Sequence, residues 1–333
     1  MPSIPEALTV KQFTELYPRY LASERAQKKS EHTVKLYDLG LRKFRDFLAD
    51  NRDESDEIDP LTVQEWADNI MESVSNNSAS QYYGAVDRFF KWAIRMKLIS
   101  ETPIPEGGKP QTIFRKKSIP SKKELEMLLD PENIAVTKTH KPINTKKPLR
   151  NYTMVAFMVL TGLRSNELRS LTLEDLDFAQ GFVRVRNGKG GKERNAPFPA
   201  RAQKIVRAYL EAGIRPAWCT DADYLFGTTT NAGHDAENED EPDAEENGRW
   251  NKFNCATLGR IVHRYCMRVI GKQVHPHLLR HCAASIWDDH DVDIRNVQKA
   301  LGHASLRTTE RIYITYLDQN KAANAVNAAL NDI

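Results

Sequence analysis

Apolar residues recur at helical spacing through the first hundred positions. Val10, Phe13, Leu16, Tyr17 and Tyr20 mark one stripe, and Val34, Tyr37, Leu41, Phe44 and Phe47 mark a second, with Ser30 placed to cap its start. An acidic stretch at 50–59 precedes a third stripe over 63–74, and Tyr82, Val86, Phe89, Phe90 and Ala93 mark a fourth. The pattern predicts four amphipathic helices between residues 9 and 100 that bury their stripes against one another. Residues 101–117, ETPIPEGGKPQTIFRKK, mix Pro, Gly and Lys without a period and read as a linker.

A second pattern begins at 118. Ser121 and Glu124 form a capping-box pair ahead of Leu125, Met127, Leu128 and Leu129. Residues 131–149 read as a loop, followed by an apolar helix through Val155, Phe157 and Leu160 that breaks at Gly162. Residues 181–186 alternate as a strand, 187–191 supply turn residues, and 193–199 return as its partner. A helix follows over roughly 200–213, then a short buried piece at 224–226. Residues 229–249 are charged and poor in apolar side chains, so they are expected to form a disordered surface insertion. The remainder is predicted helical to the end. The expected class is mostly α with a small antiparallel β-sheet, in two domains at 9–100 and 118–328; a length of 333 residues suits that division.

Composition narrows the function classes. The longest apolar run, at 152–163, is a buried helix and falls short of the ~20 residues of a membrane span. The first residues carry no export pattern, and Cys219, Cys255, Cys266 and Cys282 show no disulfide or metal spacing. A cytoplasmic protein with reduced thiols is expected. Residues 234–246 hold eight acids and no Lys or Arg, and without them the net charge of +3 becomes +11. A body that basic favours polyanions, because each phosphate it neutralises releases counterions.

The chemistry-bearing residues lie in four segments. TGLRSNEL offers Arg164, with Glu167 three residues on to hold its guanidinium; on its own, TGLR is a helix closing on Gly with a cation in its last turn. The hairpin NGKGGKER offers Lys189 at its tip, with Lys192 and Arg194 as alternative cations. HPHLLRH places His277 and Arg280 on one helical face, suited to joint contact with an anion. His277 and His281 also share a face, but no Glu sits between them and the thiols are scattered, so no metal is expected. LGHASLRTTERIYITY adds His303, Tyr313 and Tyr316. Arginines, histidines, a lysine and a tyrosine, without an acidic base or a P-loop, suit cofactor-free phosphoryl transfer. A phenol of pKa ~10 is ionised to about one part in a thousand at pH 7, a penalty of roughly 4 kcal/mol that nearby cations lower. Lys189 is the candidate acid for the leaving oxygen.

In this order and at these separations, the four segments resemble the tyrosine recombinase family of phage integrases and Xer-type enzymes. The resemblance covers about 118–325 as an α+β catalytic domain, and the four-helix segment is similar to that family's core-binding domain. It implies that Arg164, Arg280 and His303 bind a scissile DNA phosphate, that Lys189 is the general acid, and that His277 assists. Glu167 would buttress Arg164, and Tyr313 would form a 3′-phosphotyrosyl bond that needs neither ATP nor metal. It also implies a partner in double-stranded DNA, with a dimer on each core site and a tetramer in the synapse. Cys282 departs from the hydroxyl residue usual there, and the ten-residue spacing from His303 to Tyr313 leaves Tyr316 as a rival. Two alternatives share these residues: a type IB topoisomerase-like relaxing enzyme, and a catalytically silent DNA-binding regulator. The target sequence, the biological role and any directionality factor are not written in the chain. Deleting 234–246 is expected to leave DNA cleavage intact and to tighten nonspecific DNA binding at low salt, read by filter binding; loss of folding on deletion contradicts a disordered insertion.

Overall fold

The computed structural model describes residues 4–112, 119–134, 147–186, 193–228, 250–289, 292–303 and 305. The chain divides into two compact units, residues 1–115 and 116–333. Among the described residues the fold is mostly helical, with two small antiparallel sheets.

In the first unit, helices α1 (Val10–Ala26), α2 (Glu31–Asn51), α3 (Pro60–Ser73) and α4 (Asn76–Arg95) follow one another. Each start is fixed by a side chain that accepts an orphan N–H: Thr9, Ser30, Asp59 and Ser75 cap the four in turn. Pro60 sits at the start of α3, where its missing N–H and fixed φ cost nothing. The stripes meet in an aromatic core. Phe13 packs edge-on against Phe44 and Phe89 at 5.1 and 4.9 Å between centroids, and Phe44 lies 4.9 Å from Trp66.

The second unit is built around α6 (Lys147–Thr161). Nearly every side chain of α6 is buried, and it packs against α8 (Ala200–Glu211), α9 (Cys255–Ile270) and α10 (Pro276–Asp289). From Tyr152 to Leu160 the helix is apolar almost all round, and such a helix belongs inside a domain. Sequence periodicity assigned 147–149 to the preceding loop. Those residues are helical because Pro148 falls in the first turn, where it is tolerated, although a proline reads as a breaker. Helix α5 (Lys122–Leu128) starts with the capping box of Ser121 and Glu124, and α11 (Ile294–Leu301) closes the described helices.

Strands β2 (Phe182–Val185) and β3 (Arg194–Pro197) pair antiparallel, with Val183 opposite Ala196 and Val185 opposite Arg194. Three further strands escaped the pattern. Strand β1 (Leu176–Asp177) extends this sheet, and β4 (Gly227–Thr228) pairs with β5 (Asn251–Lys252). Each is two residues long, too short for alternation to register. The acidic segment 229–249 and the hairpin tip 187–192 lie outside the described residues. No described helix is long and apolar enough to cross a membrane.

Candidate active site

After α6 the chain turns at Gly162, with φ at +65°. A Cβ there would lie 2.9 Å from Leu301 Cδ2 and 3.1 Å from Trp287, so glycine satisfies both the backbone and the packing. Arg164 is therefore not in a closing turn, as its TGLR context suggested. It is extended, at φ −74° and ψ 155°, and caps helix α7 (Ser165–Arg169). From the third position of α7, Glu167 reaches back to accept the Arg164 backbone N–H at 2.8 Å and Nη1 at 2.8 Å.

The carboxylate has a second clasp. Arg194, the first residue of β3, donates from Nη1 to Oε1 at 2.7 Å and from Nη2 to Oε2 at 2.8 Å, a parallel fork. Arg280 of α10 stands behind, with Nη1 3.9 Å from Glu167 Oε2. The side chain of Glu167 is 4% exposed. Burial would raise its carboxyl, but the Arg194 fork, the charge of Arg194 and the Arg164 donors outweigh it and hold it at about 2.

The guanidiniums are held in turn by the end of α11. Three successive carbonyls there accept one arginine each. Ala300 O accepts from Arg194 Nε at 3.0 Å, Leu301 O from Arg280 Nη2, and Gly302 O from Arg164 Nη2 at 2.6 Å. Such carbonyls lack intrahelical partners and carry the negative end of the helix dipole. Arg280 also donates from Nη1 to Gly162 O at 2.6 Å. Gly302 has φ +66°, and a Cβ on it would meet Arg194 Cδ at 2.7 Å. His303 follows directly, its backbone bonded to Gln298 through His303 N–H at 3.1 Å and the Gln298 amide at 3.1 Å.

Of the seven residues singled out from the sequence, Arg164, Glu167, Arg280 and His303 come together. His277 is exposed on α10, one turn before Arg280. Lys189 and Tyr313, with its rival Tyr316, lie outside the described residues. Arg194, read as a substitute for Lys189, is instead part of the clasp on Glu167; its pairing depends on strand register, which short strands do not announce. His277 and His281 share a face of α10, and among the described residues no third His, Cys, Asp or Glu joins them.

Three guanidiniums against one carboxylate leave an excess of positive charge. Burial, and then the charges of Arg280 and Arg164, push the His303 ring down to about 4. Burial, His277 and Arg280 do the same to His281, also to about 4. Burial and Arg164 pull Arg280 down to about 9, against Glu167, so it keeps its proton at neutral pH. The cluster thus offers fixed cations and a neutral imidazole, a cradle short of one anion.

A family profile described as the phage integrase family matches residues 126–320, more than half of the chain. The chain belongs to the phage integrase family. The profile of that family's N-terminal SAM-like domain matches residues 14–97. Among curated relatives, a tyrosine recombinase of Pseudothermotoga lettingae is 28% identical over 308 residues, covering 91% of this chain and 93% of that protein. Tyrosine recombinase XerD of Staphylococcus epidermidis is 29% identical, covering 84% and 87%. The fold is shared with the crystal structure of a lambda integrase dimer bound to a core site: TM-score 0.68 at 12% identity, covering 94% and 98% of the two chains.

Two outcomes are expected. Replacing Glu167 by Gln leaves three guanidiniums around a neutral group and should cost about 3–5 kcal/mol in urea unfolding, as for a broken buried pair; a loss under ~1 kcal/mol, the size of an exposed pair, would mean that the clasp is dispensable. For pH, the folded values of His281 and His303, at about 4, lie below the ordinary 6.5. The unfolded chain then binds more protons between these values, so stability falls as pH drops through that window. Thermal unfolding should show Tm declining from pH 7 to pH 4.5, with part of the slope removed in His303→Gln; a flat or rising Tm contradicts neutral rings.

Proposed function

We propose that this tyrosine recombinase grips a scissile phosphate of double-stranded DNA with Arg164, Arg280 and His303, and attacks it with Tyr313. The observation that carries the assignment is the convergence of those two guanidiniums at the end of α11, around a buried Glu167 and beside His303, whose ring feels the charge of both. Arg164 is the more open of the two, with its side chain 21% exposed against 5% for Arg280. With five N–H groups and two engaged, Arg164 keeps donors for a non-bridging oxygen. His303 adds a neutral N–H, and the field of Arg280 acts on the same oxygens.

The Tyr313 phenolate forms a bond to phosphorus as the bond to the 5′-oxygen breaks. The DNA 3′-phosphate becomes joined to tyrosine, and the leaving 5′-oxygen takes a proton from Lys189. His277, exposed one turn from Arg280, assists as base or hydrogen-bond partner. A 5′-hydroxyl from another strand reverses the step and restores the phosphodiester, so no ATP is needed. The guanidiniums supply the charge that a metal would otherwise bring. A dimer on each core site and a tetramer in the synapse follow from strand exchange between two duplexes, and the enzyme works in the cytoplasm on resident DNA. Relatives named as tyrosine recombinases along most of this chain, and a shared fold with a recombinase seen as a dimer on its core site, support this reading.

A duplex from the DNA flanking the gene, nicked beside the exchange point, tests it. Wild type should accumulate a covalent protein–DNA adduct, and Tyr313→Phe should bind the duplex without forming one. An adduct from Tyr313→Phe moves the nucleophile to Tyr316, and relaxation of supercoils without strand exchange sinks the recombinase reading. Arg164→Ala should slow cleavage on the order of 10²–10³-fold; a loss under tenfold removes Arg164 from the grip.

A further inference from the structure

A cavity of about 500 Å³ has Glu167 in its wall. Its walls come from α7, the turn after it, β2 and β5, and it contains neither Arg164, Arg280 nor His303. Four cations line it: Arg169, Arg184, Arg186 and Lys252. The two carboxylates in its wall are already engaged. Glu167 is held by the arginine clasp, and Asp175 accepts Arg186 Nε at 2.6 Å and the Thr172 backbone and hydroxyl at 3.0 and 2.9 Å.

None of the other three cations has an ionic partner among the described residues. Arg169 donates to Phe253 O and to Asn166 Oδ1, and Lys252 donates to the Ser170 hydroxyl. Arg184 is exposed on β2, with no ion pair among the described residues. Burial, and then the charge of Arg169, push the Lys252 ammonium below its ordinary value. A half-buried ammonium beside a guanidinium, with a hydroxyl as its acceptor, lacks an anion.

We propose that this cavity is a second phosphate subsite, in which Lys252, Arg169 and Arg184 hold a non-scissile backbone phosphate of the DNA being cut. The inference rests on the reading of the neighbouring cluster as the scissile-phosphate grip. Helix α7 links the two: Arg164 caps its start and Ser170, which receives Lys252, caps its end. At ~1.5 Å per residue those caps lie about 9 Å apart, within reach of one stretch of a backbone that carries a charge every ~3.4 Å of axis per strand. A phosphate bound at Lys252 therefore fixes the duplex against α7 and sets where the scissile group falls relative to Arg164. The same chemistry would also admit free phosphate, and the test separates the two sources.

Nicked duplexes in which single non-scissile phosphates are replaced, one at a time, by uncharged methylphosphonate are cleaved by wild type, Lys252→Gln and Arg184→Gln. One position should slow wild type by about tenfold, the worth of a hydrogen bond to a charged group, and should slow Lys252→Gln no further. Losses that multiply at every position, or a Lys252→Gln enzyme that cleaves like wild type, overturn the DNA subsite. In the second arm, inorganic phosphate is added to the protein alone and Tm is read. A rise in wild type that is absent in Lys252→Gln, together with a flat scan, assigns the cavity to free phosphate; no rise and a flat scan leave no subsite. Arg184→Gln alters an exposed residue and keeps the scan informative if Lys252→Gln is unstable. Failure of wild type to form any adduct counts against the recombination reading alone, because the Tm arm still reads the cavity.

Discussion

Three guanidiniums crowd one buried carboxylate, and the arrangement persists only because each is tied elsewhere as well. Glu167 offers two oxygens and receives Arg164 and Arg194 on them, with Arg280 at 3.9 Å. Repulsion among the cations is offset by the end of α11, where the carbonyls of Ala300, Leu301 and Gly302 take one arginine apiece. Those carbonyls are the ones left over once Gln298 and Lys299 have accepted the Gly302 and His303 N–H groups. A helix terminus that would otherwise need water is satisfied by cations that would otherwise need counterions. α6, α7, β3, α10 and α11 are thereby fixed relative to one another through a single point.

The same arrangement sets the electrostatics of the surface above it. One carboxylate cannot balance three arginines, so the region stays positive; burial and then this charge hold His303 neutral, and burial with His277 and Arg280 does the same to His281. A negative group at the Arg164 edge would relieve the excess and at the same time raise the affinity of His303 for a proton. Binding of a phosphate and protonation of that ring are therefore linked, each favouring the other. In the proposed phosphoryl transfer, cations already held in place would leave little reorganisation for the chemical step, which is how preorganised charge lowers a barrier.

Much of this was legible in the sequence, and the gaps have physical causes. The four helices of the first unit showed themselves through stripes and through Ser30. The Ser121–Glu124 capping box and the β2–β3 hairpin were likewise marked by local chemistry. Arg164 could be paired with Glu167 because a carboxylate three residues past a helix start reaches back to the residue that caps it. What local spacing cannot carry is long-range register. Arg194 lies 27 residues from Glu167, and the carbonyls that bind the arginines belong to backbone atoms with no sequence signature. The ladder of β4 and β5 was hidden for a related reason, since its two-residue strands are separated in the chain by the whole acidic segment. Motif order pointed to the family where periodicity could not, because order reflects which residues must meet and periodicity reflects only which face they occupy.

Exposure also divides the labour among the arginines. Arg194, at 11%, and Arg280, at 5%, spend their donors on Glu167 and on backbone carbonyls, so their main contribution outward is charge. Arg164, at 21%, is the one whose donors face outward as well as inward. Glycine at 162 and 302 is what permits this, since a methyl group at either would press on Leu301 or on Arg194 and displace the scaffold that aims Arg164. The demand for a tight, apolar-lined backbone crossing and the demand for an accurately placed cation are met by the same two residues.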